Sequence, residues 1–154
     1  ERRKGWTKMK KVFSLVTAVM LIFCLALPAF ASEQKEKQIL PFEDGSYIVV
    51  TLWADNRTRA TTPASTKTYT YYNSEDERQW DYTLRAVFTY DGISADAISA
   101  EARAAIYNRE WRLTESDPHC QGAYAIADAT FESPSDGSRS ITVRLYCDGH
   151  GNIT

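Results

Sequence analysis

The scarcest reactive side chains in this chain are two histidines and three cysteines, and their neighbours decide what chemistry they can support. His119 lies between Pro118 and Cys120, and His150 between Gly149 and Gly151. A Cys–His nucleophile needs a thiolate beside its base, and Cys120 reads more simply as half of a disulfide. No G-x-S-x-G elbow occurs, and no serine stands out as the partner of either imidazole. Asp148-Gly149-His150-Gly151-Asn152 sets oxygen-bearing residues at alternate positions, as calcium loops do. Ile153, however, occupies the position where such a loop needs glycine. Zinc would find two histidines and no free thiol pair. Glu75, Asp76 and Glu77 are consecutive in a turn, so they point apart and do not face each other across a cleft as glycosidase carboxylates do. These residues therefore assign no catalytic group, metal or cofactor.

The aromatic residues offer a different chemistry. Tyr and Trp faces stack against the C–H groups of sugar rings, and the chain holds 9 Tyr and 4 Trp. Tyr69 and Tyr71 share one strand parity, and Trp80 and Tyr82 share another on the returning strand. An exposed strip of these four is the candidate ligand-binding site. The competing reading is cross-strand packing in a core.

What must position such a strip is a sheet. Trp80, Tyr82, Leu84, Ala86, Phe88 and Tyr90 alternate with Asp81, Thr83, Arg85, Val87 and Thr89, a period of two that places six apolar groups on one face. Tyr47 to Trp53 is β-rich on both parities, and Lys67 to Asn73 is dense in Thr and Tyr. Asn73–Asp76, Asp91-Gly92 and Pro134–Gly137 supply turn residues. Ala123 to Phe131 and Ile141 to Cys147 form a last hairpin. The alanines of Ile93–Asn108 suit a helix as well as a strand. Six or seven short strands with regular turns predict an all-β chain, an antiparallel β-sandwich in an immunoglobulin-like arrangement.

Met9 to Ala31 reads as a cleavable signal peptide: Lys10 and Lys11, an uncharged apolar run from Val12, and Ala29-Phe30-Ala31 before the cut. The apolar run is shorter than the ~20 residues of a membrane-spanning helix, and Phe23 before Cys24 does not fit a lipobox. Glu1–Lys8 are read as a gene-start artefact, Ser32–Asp44 as a flexible lead-in, and Gly45–Thr154 as one sandwich domain. Ser32–Thr154 carries 12 Lys+Arg against 19 Asp+Glu, a net charge of −7, whereas the whole chain has −2. Nucleic acid and anionic membranes both call for basic patches, so an acidic domain excludes them as partners. Without Cys24, Cys120 and Cys147 remain as an even pair for an oxidising compartment. Folding the last hairpin about Pro134-Ser135 brings residues near 122 opposite Cys147, so a Cys120–Cys147 disulfide is expected. It would contribute roughly 3.5 kcal/mol in the chain-entropy account.

Thr66-Lys67-Thr68-Tyr69-Thr70-Tyr71-Tyr72-Asn73, Trp80, Phe88-Thr89-Tyr90-Asp91-Gly92, Trp111, Cys147-Asp148 and Gly151-Asn152 together resemble a family of small secreted all-β proteins of uncharacterised function from gut Firmicutes. The resemblance implies a signal peptide followed by one all-β domain, and it favours strand for Ile93–Asn108. Relatives often carry a cysteine where this chain has Ala95, Asp96 and Ala97, which leaves the family's pairing open. The functional expectation is a secreted, extracellular, non-enzymatic interaction or surface-associated module, binding a glycan or a host or cell-surface protein. The alternatives are a small extracellular hydrolase with a loop-assembled site around His119 or His150, and a structural component of an extracellular assembly.

Overall fold

The alternation in Arg78–Tyr90 builds the centre of the molecule. In the computed structural model, which describes residues 33–54 and 64–154, this stretch is strand β4, paired on both sides. The strands in chain order are β1 (Glu33–Pro41), β2 (Tyr47–Ala54), β3 (Ala64–Tyr72), β4 (Arg78–Tyr90), β5 (Ala95–Ile106), β6 (Arg112–Gln121), β7 (Tyr124–Ser133) and β8 (Gly137–Tyr146). They form two antiparallel sheets, ordered β1-β2-β3-β4-β5 and β6-β7-β8. The expected signal peptide and the residues before it lie outside the described residues. The strands belong to one unit, Ser32–Thr154.

The all-β expectation holds at the level of two antiparallel sheets facing each other, and two finer points differ. There are eight strands, because Glu33–Pro41, read above as lead-in, pairs along β2 from Glu33↔Ala54 to Pro41↔Tyr47. Within each sheet, every strand also lies beside its sequence neighbours. An immunoglobulin arrangement interleaves strands from distant parts of the chain, whereas here the strands within each sheet pair in sequence order. Ile93–Asn108 resolves as β5, with Tyr90↔Ala95 and Phe88↔Ala97 in register. Its alanines form a strand because β4 offers an unpaired edge and a flat apolar face, a tertiary gain that outweighs their helix propensity.

Between the sheets Trp80 stacks on Phe131 with centroids 4.0 Å apart, Tyr82 meets Phe131 edge-on at 5.9 Å, and Trp111 packs against Tyr71 and Trp80. Leu84, Phe88, Val143 and Leu145 fill the rest of the interior. The indole N–H groups of Trp80 and Trp111 are buried without a partner among the described residues. Each such donor costs about 1–3 kcal/mol, less than the ~4–6 kcal/mol that burying a ring of this size gains at ~25 cal/mol/Å². Polar links across the interface include the Tyr82 hydroxyl, 2.8 Å from Ser116 Oγ, and Lys67 Nζ, which donates to the Arg144 carbonyl at 2.9 Å.

The expected disulfide is not formed: Cys120 is an exposed free thiol and Cys147 a buried one. The hairpin register itself agrees, since the Cys147 N–H bonds the Ala123 carbonyl. But the chain reverses at Gly122, whose φ of +54° lies in the left-handed region. That reversal puts Cys120 on β6, opposite Ala125, with β7 standing between it and β8. Two strand spacings separate the backbones by roughly 10 Å, beyond the ~4.4–6.8 Å between Cα atoms that a disulfide spans. The burial of Cys147 raises its pKa, with Asp148 adding to the effect.

The segment after β8 is closed, not loose. Asp148 Oδ1 accepts the N–H groups of His150 and Asn152, and Asp148 Oδ2 accepts the Asn152 amide. Ile153 bridges back to Cys147 and is buried. Gly149 lies against the β4–β5 turn, where its carbonyl accepts the Gly92 N–H at 2.8 Å.

Candidate functional site

Strand parity assigns the outer face of the five-stranded sheet. With Ile48, Val50 and Leu52 turned inward on β2 and Trp80, Tyr82 and Leu84 inward on β4, the alternate residues face out. The register aligns them in rows across the sheet. Tyr47, Tyr72 and Arg78 form one, then Thr70 with Asp81, then Thr51, Thr68, Thr83 and Arg103, and finally Trp53, Thr66, Arg85 and Glu101.

The first row is aromatic. Tyr47 and Tyr72 stack with centroids 5.0 Å apart and planes 11° from parallel. Tyr107, just past β5, is held by its backbone N–H to the Gln79 carbonyl. The Arg78 guanidinium lies 4.3 Å from the centre of the Tyr107 ring. Arg78 is also paired with Asp81, which accepts the Tyr107 hydroxyl at 3.1 Å. The Tyr47 hydroxyl donates to Asp76 at 3.0 Å. Partial desolvation, then the Asp76 bond, raises the pKa of Tyr47, and desolvation and Asp81 raise that of Tyr107. The hydrogen bond to Asp81 raises that of Arg78. All three side chains therefore keep their protons at neutral pH. Tyr107 is 51% exposed, so the row ends in a half-exposed ring with Arg78 over it.

Further along the same face, Thr66, Thr83, Arg85, Glu101 and Arg103 line a shallow trough of about 190 Å³. The Thr83 hydroxyl lies 3.0 Å from that of Thr68. Trp53, half-buried, stands opposite Thr66 at the edge of the trough. Comparison with known protein families, curated proteins and solved structures finds no match to this chain. The site is therefore read from its own residues. Its aromatic faces, hydroxyls, guanidinium groups and carboxylates lie on one open sheet surface and suit a ligand that is stacked upon and hydrogen-bonded along its length.

The four aromatics expected to form a strip do not form an exposed one. Tyr71 is 3% exposed and Trp80 and Tyr82 are 0% exposed, all within the core. Tyr69 packs half-buried against them, its pKa raised by burial. They lie side by side, as Tyr69↔Tyr82 and Tyr71↔Trp80, but on the inward face. The parity of Leu84, Ala86 and Phe88, shared with Trp80 and Tyr82, was the signal for that face. The outward tyrosines Tyr47, Tyr72 and Tyr107 were missed, although Tyr47 and Tyr72 sit in register with the polar parity of β4.

The histidines form no nucleophile. His119 Nδ1 lies 3.3 Å from the Asp117 carbonyl and 3.6 Å from the Asp117 carboxylate. No hydroxyl among the described residues is within hydrogen-bonding reach of either imidazole. The Ser116 hydroxyl is bonded to Tyr82, and Asp148 is occupied by the backbone of its own loop. Other depressions lie among the described residues. One of about 60 Å³ is lined by Glu36, Gln38, Lys67 and Tyr69, and one of about 320 Å³ on the outer face of the three-stranded sheet by Glu115, Asp128, Thr130, Ser140 and Thr142. Burial lowers the pKa of Lys67, which Glu36 partly offsets.

Proposed function

We propose that this chain is a secreted, extracellular, non-enzymatic module that binds carbohydrate across the outer face of its five-stranded sheet. The observation that carries the reading is the row Tyr47–Tyr72–Arg78–Tyr107, continued by the hydroxyls of Thr68 and Thr83 and by the half-buried Trp53. Sugars are held by such flat aromatic faces with polar groups between them, and Tyr107 and Arg78 already fix each other's orientation, which lowers the ordering cost of binding. Export rests on the apolar stretch before Ala31 and on the resemblance to small secreted Firmicutes proteins. It accords with an acidic domain of net charge −7.

A glycan array probed with Ser32–Thr154, the unit that contains the described core, tests the binding. Binding that falls at least tenfold in Tyr107→Ala and Tyr72→Ala is the expected result. Silence across host and microbial glycans disposes of the reading. Export is tested separately: mass spectrometry of culture supernatant is expected to find a product starting near Ser32.

A further inference from the structure

The following rests on the carbohydrate reading and narrows it. We infer that the trough of Thr66, Thr83, Arg85, Glu101 and Arg103 is the subsite for an anionic substituent of the glycan, a carboxylate or a sulfate.

Charge is the first argument. The trough gathers two guanidinium groups and one carboxylate on a domain that otherwise carries an excess of acids. The trough arginines also lack, among the described residues, the carboxylate partners that hold Arg78 and Arg139. Arg78 and Arg139 are each paired with a carboxylate, Asp81 and Asp44, and each lies over an aromatic ring. Their charges are already engaged. Arg85 and Arg103 form no ion pair among the described residues, although Glu101 stands opposite Arg85 in the ladder. Arg103 stands opposite Thr83, is exposed, and lines the trough with it, offering a planar fork of donors. That fork matches the oxygens of a carboxylate or sulfate in a two-bond arrangement.

The sheet fixes this geometry. Thr66 and Arg85 are direct partners across β3 and β4, and Thr68 and Thr83 are partners one row on. The two rows lie roughly 7 Å apart along the strands. Thr83 is tied to Thr68, and the Thr66 hydroxyl has no partner among the described residues, so it can donate to an incoming oxygen. Glu101 can orient Arg85 and accept from a sugar hydroxyl. Size adds a third argument. At about 190 Å³ the trough falls below the ~300–1,000 Å³ of pockets that engulf a small molecule. It suits a group projecting from a longer ligand. Trp53, opposite Thr66 in the ladder, is an aromatic side chain within the same row for the ring bearing that group.

The test is an array of matched glycans: neutral backbones, the same backbones bearing uronate or sialate, and the same bearing sulfate. The probes are Ser32–Thr154, Arg85→Gln/Arg103→Gln, and Thr66→Val as a milder second variant expected to shrink the acidic advantage, each checked for native near-UV circular dichroism. The expected result is about tenfold tighter binding of the acidic members, an advantage abolished in the double variant with neutral binding unchanged. The advantage should shrink with added salt. Preference for carboxylated over sulfated members, or the reverse, identifies the source of the charge. Equal binding of neutral and acidic members, or a preference that survives the double variant, overturns this inference and leaves the carbohydrate reading standing. Equal loss of neutral and acidic binding in the double variant also overturns it. Absence of all glycan binding overturns both.

Discussion

Replacing Gly149 with alanine tests how firmly the last eight residues close the end of the sandwich. A Cβ built at Gly149 would lie 2.4 Å from both the carbonyl carbon and oxygen of Ile93 and 2.8 Å from the Ser94 nitrogen. These are backbone atoms of the β4–β5 turn and cannot swing aside. Two responses are open. The loop can stay and bear overpacking of about 1–3 kcal/mol. Or it can lift away, losing the Gly92–Gly149 hydrogen bond at about 1 kcal/mol and part of the cover over Ile153 and Cys147. The expected destabilisation is about 2–4 kcal/mol, a large share of a typical ~5–15 kcal/mol. In a domain of this size that lowers Tm by about 8–15 °C. Gly122→Ala is the control: it has positive φ but nothing within 4 Å of its built Cβ, so it bears only the left-handed strain of about 1–2 kcal/mol. Guanidinium denaturation followed by tryptophan fluorescence reads both variants. If Gly149→Ala is no more destabilising than Gly122→Ala, the closed-loop reasoning is refuted.

Three further outcomes are expected. In Ser32–Thr154, a thiol reagent should label Cys120 in the native state and Cys147 only after denaturation; protection of both under non-reducing conditions would mean a disulfide after all. Trp80→Ala should cost about 3–5 kcal/mol as a core ring is lost, whereas Tyr107→Ala should cost under about 1 kcal/mol; denaturation midpoints separate them, and equal costs would contradict the inward and outward assignments. Asp148 and Asp91 have pKa values held below 3.8, chiefly by the Asn152 side chain and by the Ser94 backbone N–H respectively. Their stabilisation is therefore present above that value and lost as pH falls through the folded-state pKa. The denaturation midpoint should hold near neutrality and decline below about pH 4, less steeply in Asp91→Asn/Asp148→Asn. A midpoint that rises on acidification would contradict this.

The strands buried by partners on both sides were readable in the chain. Trp80 to Tyr90 alternates because one face of β4 meets another sheet and the other meets solvent, and Asp91-Gly92 and Pro134–Gly137 mark reversals that the backbone uses. Two of the edge strands, β1 and most of β6, were not readable. Glu33–Pro41 has neighbours on one side only, so charges at Glu36 and Lys37 are tolerated there and guard the edge. Glu115–Gln121 on β6 is polar and contains Pro118, which a strand accepts where its N–H side is unpaired. For the aromatics, alternation gave which residues share a face, but the packing of β6–β8 decides which face is covered. Cys120 illustrates the same limit. A single reversal at Gly122 moved it from β7 to β6 and put a strand between the two sulfurs.

The division of the chain into two successive sheets has a consequence for biogenesis. All five strands of the larger sheet precede the three of the smaller one, so a polypeptide emerging amino end first can complete the former while the latter is still to come. During that interval the Trp80, Tyr82, Leu84 and Phe88 surface would stand bare to water, an adhesive intermediate whose lifetime is set by how fast the remainder arrives. The connection Tyr107–Trp111 joins the two sheets, and two separately made pieces meeting along that apolar seam should reconstitute the whole.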